Sequence, residues 1–183
     1  MNNIDFRPDK SWTLFLDRDG VINKKIDNDY VKSWSEFVFL PGVLEALATC
    51  KEIFGRVIIL SNQQGIGKGL MTLQQLEEVH KQMLTEIKKN HGHIDMIYFC
   101  QSKEEMNDPM RKPDVGMALQ AKLDFPEINF GKSVMLGDSI SDMKLGFQLH
   151  MINVLVTEKT SSEPEIIHLT VKSLKEFCQL LAK

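Results

Sequence analysis

Apolar positions along the chain fall into two alternating patterns. Short, nearly continuous apolar runs occur at Trp12–Leu16, Arg56–Leu60, Ile94–Cys100, Ser133–Leu136 and Met151–Val156, each closed by polar or turn-forming residues. Runs this short and apolar at almost every position predict strands buried on both faces, as in parallel sheets. Between them, apolar residues recur every three to four positions. Pro41–Phe54 opens with proline, places Val43, Leu44, Leu47 and Ile53 on one side and stops at Gly55. Thr72-Leu73-Gln74-Gln75 reads as a capping box. After it Leu73, Leu76, Val79 or His80, Met83 and Ile87 keep helical spacing until Asn90-His91-Gly92. Asp114–Leu123, Ser139–Leu149 and Ser173–Leu181 predict three further helices. This alternation predicts one α/β domain over residues 1–183, Rossmann-like and doubly wound, with a mainly parallel sheet and helices on both faces.

Two stretches break the rhythm. Asn23–Leu40 follows the first strand directly, and Gln101–Lys112 follows the third. Long loops inside a compact domain usually carry function, and both start at a strand's C-terminal end, where open α/β sheets bind ligands.

Composition narrows the partner. The 183 residues are 43% hydrophobic and 26% charged with net charge −3, so no basic footprint for nucleic acid is expected. No apolar run approaches the ~20 residues needed to span a bilayer. The Met1–Lys10 segment is polar and lacks an apolar targeting core. Cys50, Cys100 and Cys178 are odd in number and far apart, which points to a reducing compartment, with Cys50 and Cys178 buried and inert. A cytoplasmic, monomeric protein acting on a small molecule is expected, with neither membrane nor nucleic acid as partner.

The strand ends carry the chemistry. Asp17 and Asp19, two apart at the end of the first run, can point the same way, and Gly20 lets the chain turn. Alone, such a segment is equally an ordinary turn. The second run delivers Ser61-Asn62, short hydrogen-bonding side chains suited to a phosphate oxygen. Arg111-Lys112-Pro113 brings paired cations to the mouth of a helix, and the fourth run ends in Gly137-Asp138-Ser139-Ile140-Ser141-Asp142. The Gly65-Ile66-Gly67-Lys68-Gly69 segment lacks a glycine at Asn62 and a hydroxyl at Gly69, so it does not read as a P-loop. His91-Gly92-His93 reads as a solvated turn at a helix end.

In that order these residues resemble the four motifs of the haloacid dehalogenase superfamily: Asp17 to Val21 the first, Ser61 the second, Lys112 the third and Gly137 to Asp142 the fourth. The resemblance implies Asp17 as nucleophile and Asp19 as general acid and base. Ser61 and Lys112 would stabilise the phosphoryl group, and Mg²⁺ would be held by Asp17, the backbone oxygen of Asp19, and Asp138. The need for a cation is also physical. A carboxylate approaching a phosphate dianion at ~4 Å and an effective dielectric near 20 meets about 4 kcal/mol of repulsion per charge. Asp19 has to start protonated, which predicts a raised pKa. Asp142 is expected to position Lys112 or a metal-bound water.

Tyr30-Val31, Phe37–Gly42, Ser61–Gly69 and Arg111-Lys112-Pro113 are similar to one branch, the D-glycero-D-manno-heptose 1,7-bisphosphate and histidinol-phosphate phosphatases. That branch has no large cap. It implies substrate or phosphate contacts from Ser61, Asn62, Gln63, Gln64, Arg111, Lys112 and the loop around Lys25–Asn28. The heptose bisphosphate is the favoured substrate and histidinol phosphate the alternative, followed by phosphotransfer or another small phosphorylated metabolite. The branch's zinc loop has Cys-x-His and then Cys-x-Cys before Arg-Lys-Pro. Here only Cys100 remains, with Asp108-Pro109-Met110 in place of the last pair. One thiol and one carboxylate do not make the closed four-ligand site of structural zinc, so no zinc is expected.

Overall fold

In the computed structural model, described for residues 6–159, 161 and 163–182, the five expected strands are present. They are β1 (Thr13–Leu16), β2 (Arg56–Asn62), β3 (Met96–Cys100), β4 (Ser133–Gly137) and β5 (Ile152–Val156). A sixth, β6 (Leu169–Val171), adds to the expected five. Its three residues are too few to show a period, and only its parallel register with Val154–Val156 makes it a strand. All ladders are parallel, in the order β3-β2-β1-β4-β5-β6. The chain therefore winds outward in one direction from β1 through β3, then returns to β1 and winds the other way. The reversal lies between β1 and β4, where such sheets open a crevice at their carboxyl ends.

The strand period of two divides the core. Leu14, Leu16, Val57, Ile59, Val134 and Leu136 face one side, and Phe15, Ile58, Leu60 and Met135 the other. The first face is covered by α1 (Val43–Ile53), α2 (Leu73–Lys89) and α5 (Leu174–Leu181), the second by α3 (Gly116–Asp124) and α4 (Ile140–Gln148). Helix α1 begins at Val43 rather than at Pro41, because Gly42 takes a left-handed φ of 72° as its N-cap. The capping box at Thr72 and Gln75 forms as expected, each side chain bonding the other's backbone N–H. His91, at φ 66°, turns the chain out of α2, and both it and His93 are exposed. Cys50 of α1 and Cys178 of α5 are buried with their sulfurs 3.4 Å apart. Among the described residues no helix is long and apolar enough to cross a membrane. Part of the polar N-terminal segment, residues 1–5, lies outside the described residues.

The two irregular stretches differ in how they are held. The excursion after β1 closes on itself through Lys24 N–H to Val38 O (2.8 Å) and Leu40 N–H to Ile22 O (3.0 Å). Its Trp34, Phe37 and Phe39 rings cluster at centroid distances of 5.0–6.1 Å and pack onto the core. The loop after β3 has mostly exposed side chains and is tied by polar contacts described below.

Candidate active site

Asp17 leaves the end of β1, and its N–H still bonds Leu136 O of β4 at 3.0 Å. The next residues turn sharply. Gly20 sits at φ 90°, and a Cβ there would run into the Asp138 carboxylate at the end of β4, so glycine is required twice over. The turn brings three carboxylates together. Oxygens of Asp17, Asp138 and Asp142 lie within 4.8 Å of one another.

Lys112 neutralises this cluster from below. It is 3% exposed; its ammonium donates to Leu60 O (2.7 Å) and forms ion pairs with Asp17 Oδ1 (2.9 Å) and Asp142 Oδ1 (2.6 Å). Burial opposes its charge, but the two carboxylates outweigh that and raise its pKa. Asp142 is 0% exposed and is oriented by a second capping box, in which its Oδ2 accepts from the N–H and hydroxyl of Ser139. It thus sits against Lys112, as expected. Burial, offset by Lys112 and reinforced by Asp142, Asp138 and Asp19, pushes the Asp17 carboxyl up to about 7. Asp138 is also raised, chiefly by burial, although Lys25 Nζ lies 3.0 Å from its Oδ2. Its other oxygen, Oδ1, is buried without a hydrogen-bond partner. An orphaned buried oxygen among clustered carboxylates is the donor set a hard divalent cation takes.

Asp19 departs from expectation. Burial raises its pKa, but the Arg18 charge and hydrogen bonds from Asn23, Arg18 and Gln63 more than cancel this, leaving it below the usual range. These donors are brought together by the fold, and burial and neighbouring carboxylates alone would have raised it. Arg18 is 0% exposed, so an arginine beside the motif is internal rather than solvated. His80, expected as a helix-core residue, lies within bonding distance of it. Burial and the Arg18 charge push the His80 imidazole down to about 3, so the ring is neutral.

These groups border a cavity of about 430 Å³. Asp17, Asp19, Asn62, Gln64, Lys112 and Asp138 line it, together with Lys25, Asn28, Tyr30, Lys68 and Ser141. Lys68 bridges the rim by donating to Tyr30 Oη at 3.1 Å. Ser61 and Gln63 are buried behind the wall, where Gln63 Nε2 bonds Ser61 Oγ (2.8 Å) and Asp19 Oδ2 (2.9 Å). Gln63 therefore faces the acid–base candidate rather than the space a substrate would fill. Arg111 borders an adjoining recess that shares Asn62 and Lys112 with the main cavity. The loop leading to it is pinned by Asp108, whose carboxylate accepts from the Ser102 hydroxyl, Met110 N–H (2.9 Å) and the Cys100 thiol (3.7 Å). Of these residues, Lys68 and Asn23 carried a partial signal, by proximity to the motifs. Arg18 stood inside the first motif without an assigned role, and His80 carried no signal, because only the fold joins β1 to α2.

A buried lysine and clustered aspartates thus face a cavity at the switch point of a parallel sheet, and the relatives that share this arrangement are phosphoric monoester hydrolases. The model of the polynucleotide kinase 3 phosphatase family matches residues 13–162. The chain is 35% identical over 164 residues to a D-glycero-beta-D-manno-heptose-1,7-bisphosphate 7-phosphatase of Helicobacter pylori, covering 89% of this chain and 92% of that one. It is 34% identical over 139 residues to a D-glycero-alpha-D-manno-heptose-1,7-bisphosphate 7-phosphatase of Mycobacterium bovis, covering 76% and 73%. A D,D-heptose 1,7-bisphosphate phosphatase from B. bronchiseptica, solved with magnesium and phosphate, superposes with TM-score 0.85 at 27% identity, covering 93% and 98%. The chain belongs to the haloacid dehalogenase superfamily of phosphatases, in the branch of the heptose bisphosphate phosphatases.

Proposed function

We propose that the protein removes the 7-phosphate of D-glycero-D-manno-heptose 1,7-bisphosphate through an aspartyl-phosphate. The observation that carries the mechanism is the Asp17–Lys112–Asp142 arrangement at the cavity floor, with the free Asp138 oxygen beside it. Asp17 attacks phosphorus as the ester P–O bond breaks; Asp19, which its Arg18, Asn23 and Gln63 donors favour as the carboxylate, first takes up a proton from solvent as substrate binds and then gives it to the departing alkoxide. Asp19 then takes a proton from water, which attacks the aspartyl-phosphate and frees Asp17. Lys112 holds phosphoryl charge and keeps Asp17 from repelling the incoming dianion. Ser61 Oγ lies one layer behind, within reach of Gln63, and Asn62 is fixed by exchanging hydrogen bonds of 3.0 Å with the Lys112 backbone.

The carboxylates of Asp17 and Asp138, with a backbone oxygen near Asp19, fit Mg²⁺, which when bound offsets like-charge repulsion around the phosphoryl group. The B. bronchiseptica relative was solved with that ion.

Two lysines, Lys25 and Lys68, stand at the cavity rim. They suit a second phosphate, whereas histidinol phosphate presents an amine there. A rim carboxylate that could meet that amine, Asp29, is already paired with Lys32. Relatives named for both the alpha and the beta anomer are similar to this chain, so both anomers belong in the test.

The test is kcat/KM over both heptose bisphosphate anomers, histidinol phosphate and simple sugar phosphates, run beside Asp17→Asn. The bisphosphate is expected to lead the panel, and Asp17→Asn to lose at least about 10³-fold in kcat. Near-normal turnover in that variant rejects the nucleophile, and a lead by histidinol phosphate rejects the substrate.

A further inference from the structure

A buried guanidinium is a demanding thing to place in a protein. Arg18 has five N–H donors and no acceptor, so every neighbour that bonds it must offer a lone pair. Its Nε lies 3.2 Å from Asp19 Oδ2, and its Nη2 lies 2.9 and 3.1 Å from the two Asp19 oxygens, a fork on one carboxylate. Nη2 also reaches Gln63 Oε1 at 3.3 Å, and Gln63 in turn donates to Asp19 Oδ2. The far side of the fork is closed by α2, where Nη1 meets His80 Nε2 at 3.0 Å. Because arginine accepts nothing, His80 Nε2 carries the lone pair and the imidazole is locked in one role. The ring is itself held edge-on against Phe99 of β3, with centroids 5.7 Å apart.

Filling this position for packing alone would favour an apolar residue, since a buried charge is retained only at a desolvation cost. What the arginine does here is fix a carboxylate that lines the cavity. Asp19 can rotate about two side-chain bonds, and five N–H contacts from Arg18, Asn23 and Gln63 leave it one orientation. Proton transfer to a leaving oxygen depends on that orientation within fractions of an ångström.

We propose that His80, Arg18 and Gln63 form a buried positioning chain that aims Asp19 at the leaving-group oxygen. None of the three needs to touch substrate, and His80, on a helix that supplies no other group to the site, is the outermost member. This assignment rests on the acid–base reading of Asp19.

The experiment separates positioning from folding by leaving group. An alkyl phosphate departs as a strongly basic alkoxide and needs the proton, whereas p-nitrophenyl phosphate departs as a stable anion and hardly does. Since kcat/KM reports steps up to that departure, the two substrates are compared in His80→Leu, which keeps bulk but removes the lone pair, and in His80→Gln, which restores an acceptor oxygen. The alkyl probe is the one with the highest kcat/KM in the panel above. His80→Leu is expected to lose on the order of tenfold more on the alkyl than on the aryl substrate, and His80→Gln to recover most of that difference. Equal losses on both substrates, no loss on either, or no recovery in His80→Gln overturns the chain. Asp19→Asn, run alongside, is expected to show the same selectivity on a larger scale. A uniform loss in Asp19→Asn overturns the acid role and this assignment together. Selectivity in Asp19→Asn with none in His80→Leu overturns the positioning chain alone.

Discussion

Lys112 shows how one side chain sets the state of a whole site. Its ammonium is the only protein cation touching both Asp17 and Asp142 among the described residues, and it is buried with them. Removing one partner of a buried ionic group costs far more than the group contributes net, because the remaining charges stay behind unpaired. Lys112→Met is therefore expected to lower stability by about 3 kcal/mol in urea unfolding and to cut kcat by at least about 10²-fold. The clustered carboxylates make the converse prediction for metal. EDTA should stop turnover and Mg²⁺ restore it. Because the ion binds the folded carboxylate cluster, Mg²⁺ should also raise the thermal midpoint of the metal-free protein. A midpoint that ignores Mg²⁺ would count against the ligand set. Asp17 and the carboxylates after β4 were legible as candidates because they follow apolar runs, and Lys112 because it stands beside Arg111 at the mouth of a helix. The contact between Arg18 and His80 was not, since 62 positions separate them and no local pattern joins them.

At the scale of elements, the loop after β3 is tied by a carboxylate. Asp108 gathers the Ser102 hydroxyl, the Met110 N–H and the Cys100 thiol, and Arg111 Nη1 donates to Ser102 O at 3.3 Å. Loss of that pin should loosen Arg111 and the adjoining recess without touching Asp17. Asp108→Ala is expected to raise KM for a bisphosphate several-fold, on the order of the 1–2 kcal/mol such hydrogen bonds contribute, with kcat nearly unchanged. Metal analysis of the wild-type protein should find well under one zinc per chain, and stoichiometric zinc would refute the hydrogen-bonded loop. The five main strands and five helices were legible from periodicity. β6 and the start of α1 were not, because one depends on pairing and the other on the left-handed backbone of Gly42. The raised pKa expected of Asp19 failed for a related reason. Burial is visible in a sequence pattern, whereas donors arriving from Asn23 and Gln63 are a matter of geometry.

For the molecule as a whole, the position of β1 has a consequence for how the protein comes apart. β1 is bonded on both sides, to β2 and β4, and its side chains are buried against helices on both faces. Amide protection in native proteins is greatest in such central strands and least in exposed polar loops. Hydrogen exchange should therefore release the 101–110 amides first and those of Leu14–Leu16 last. Asn23–Leu40, moored by its aromatic cluster, should fall between them. Mild urea ought then to separate two properties that are usually lost together. KM should climb while kcat holds, because the 101–110 loop opens in local excursions that leave the strand before Asp17 closed. Substrate grip and chemical competence should thus melt on separate schedules, with the proposed nucleophile at the end of the last strand to let go.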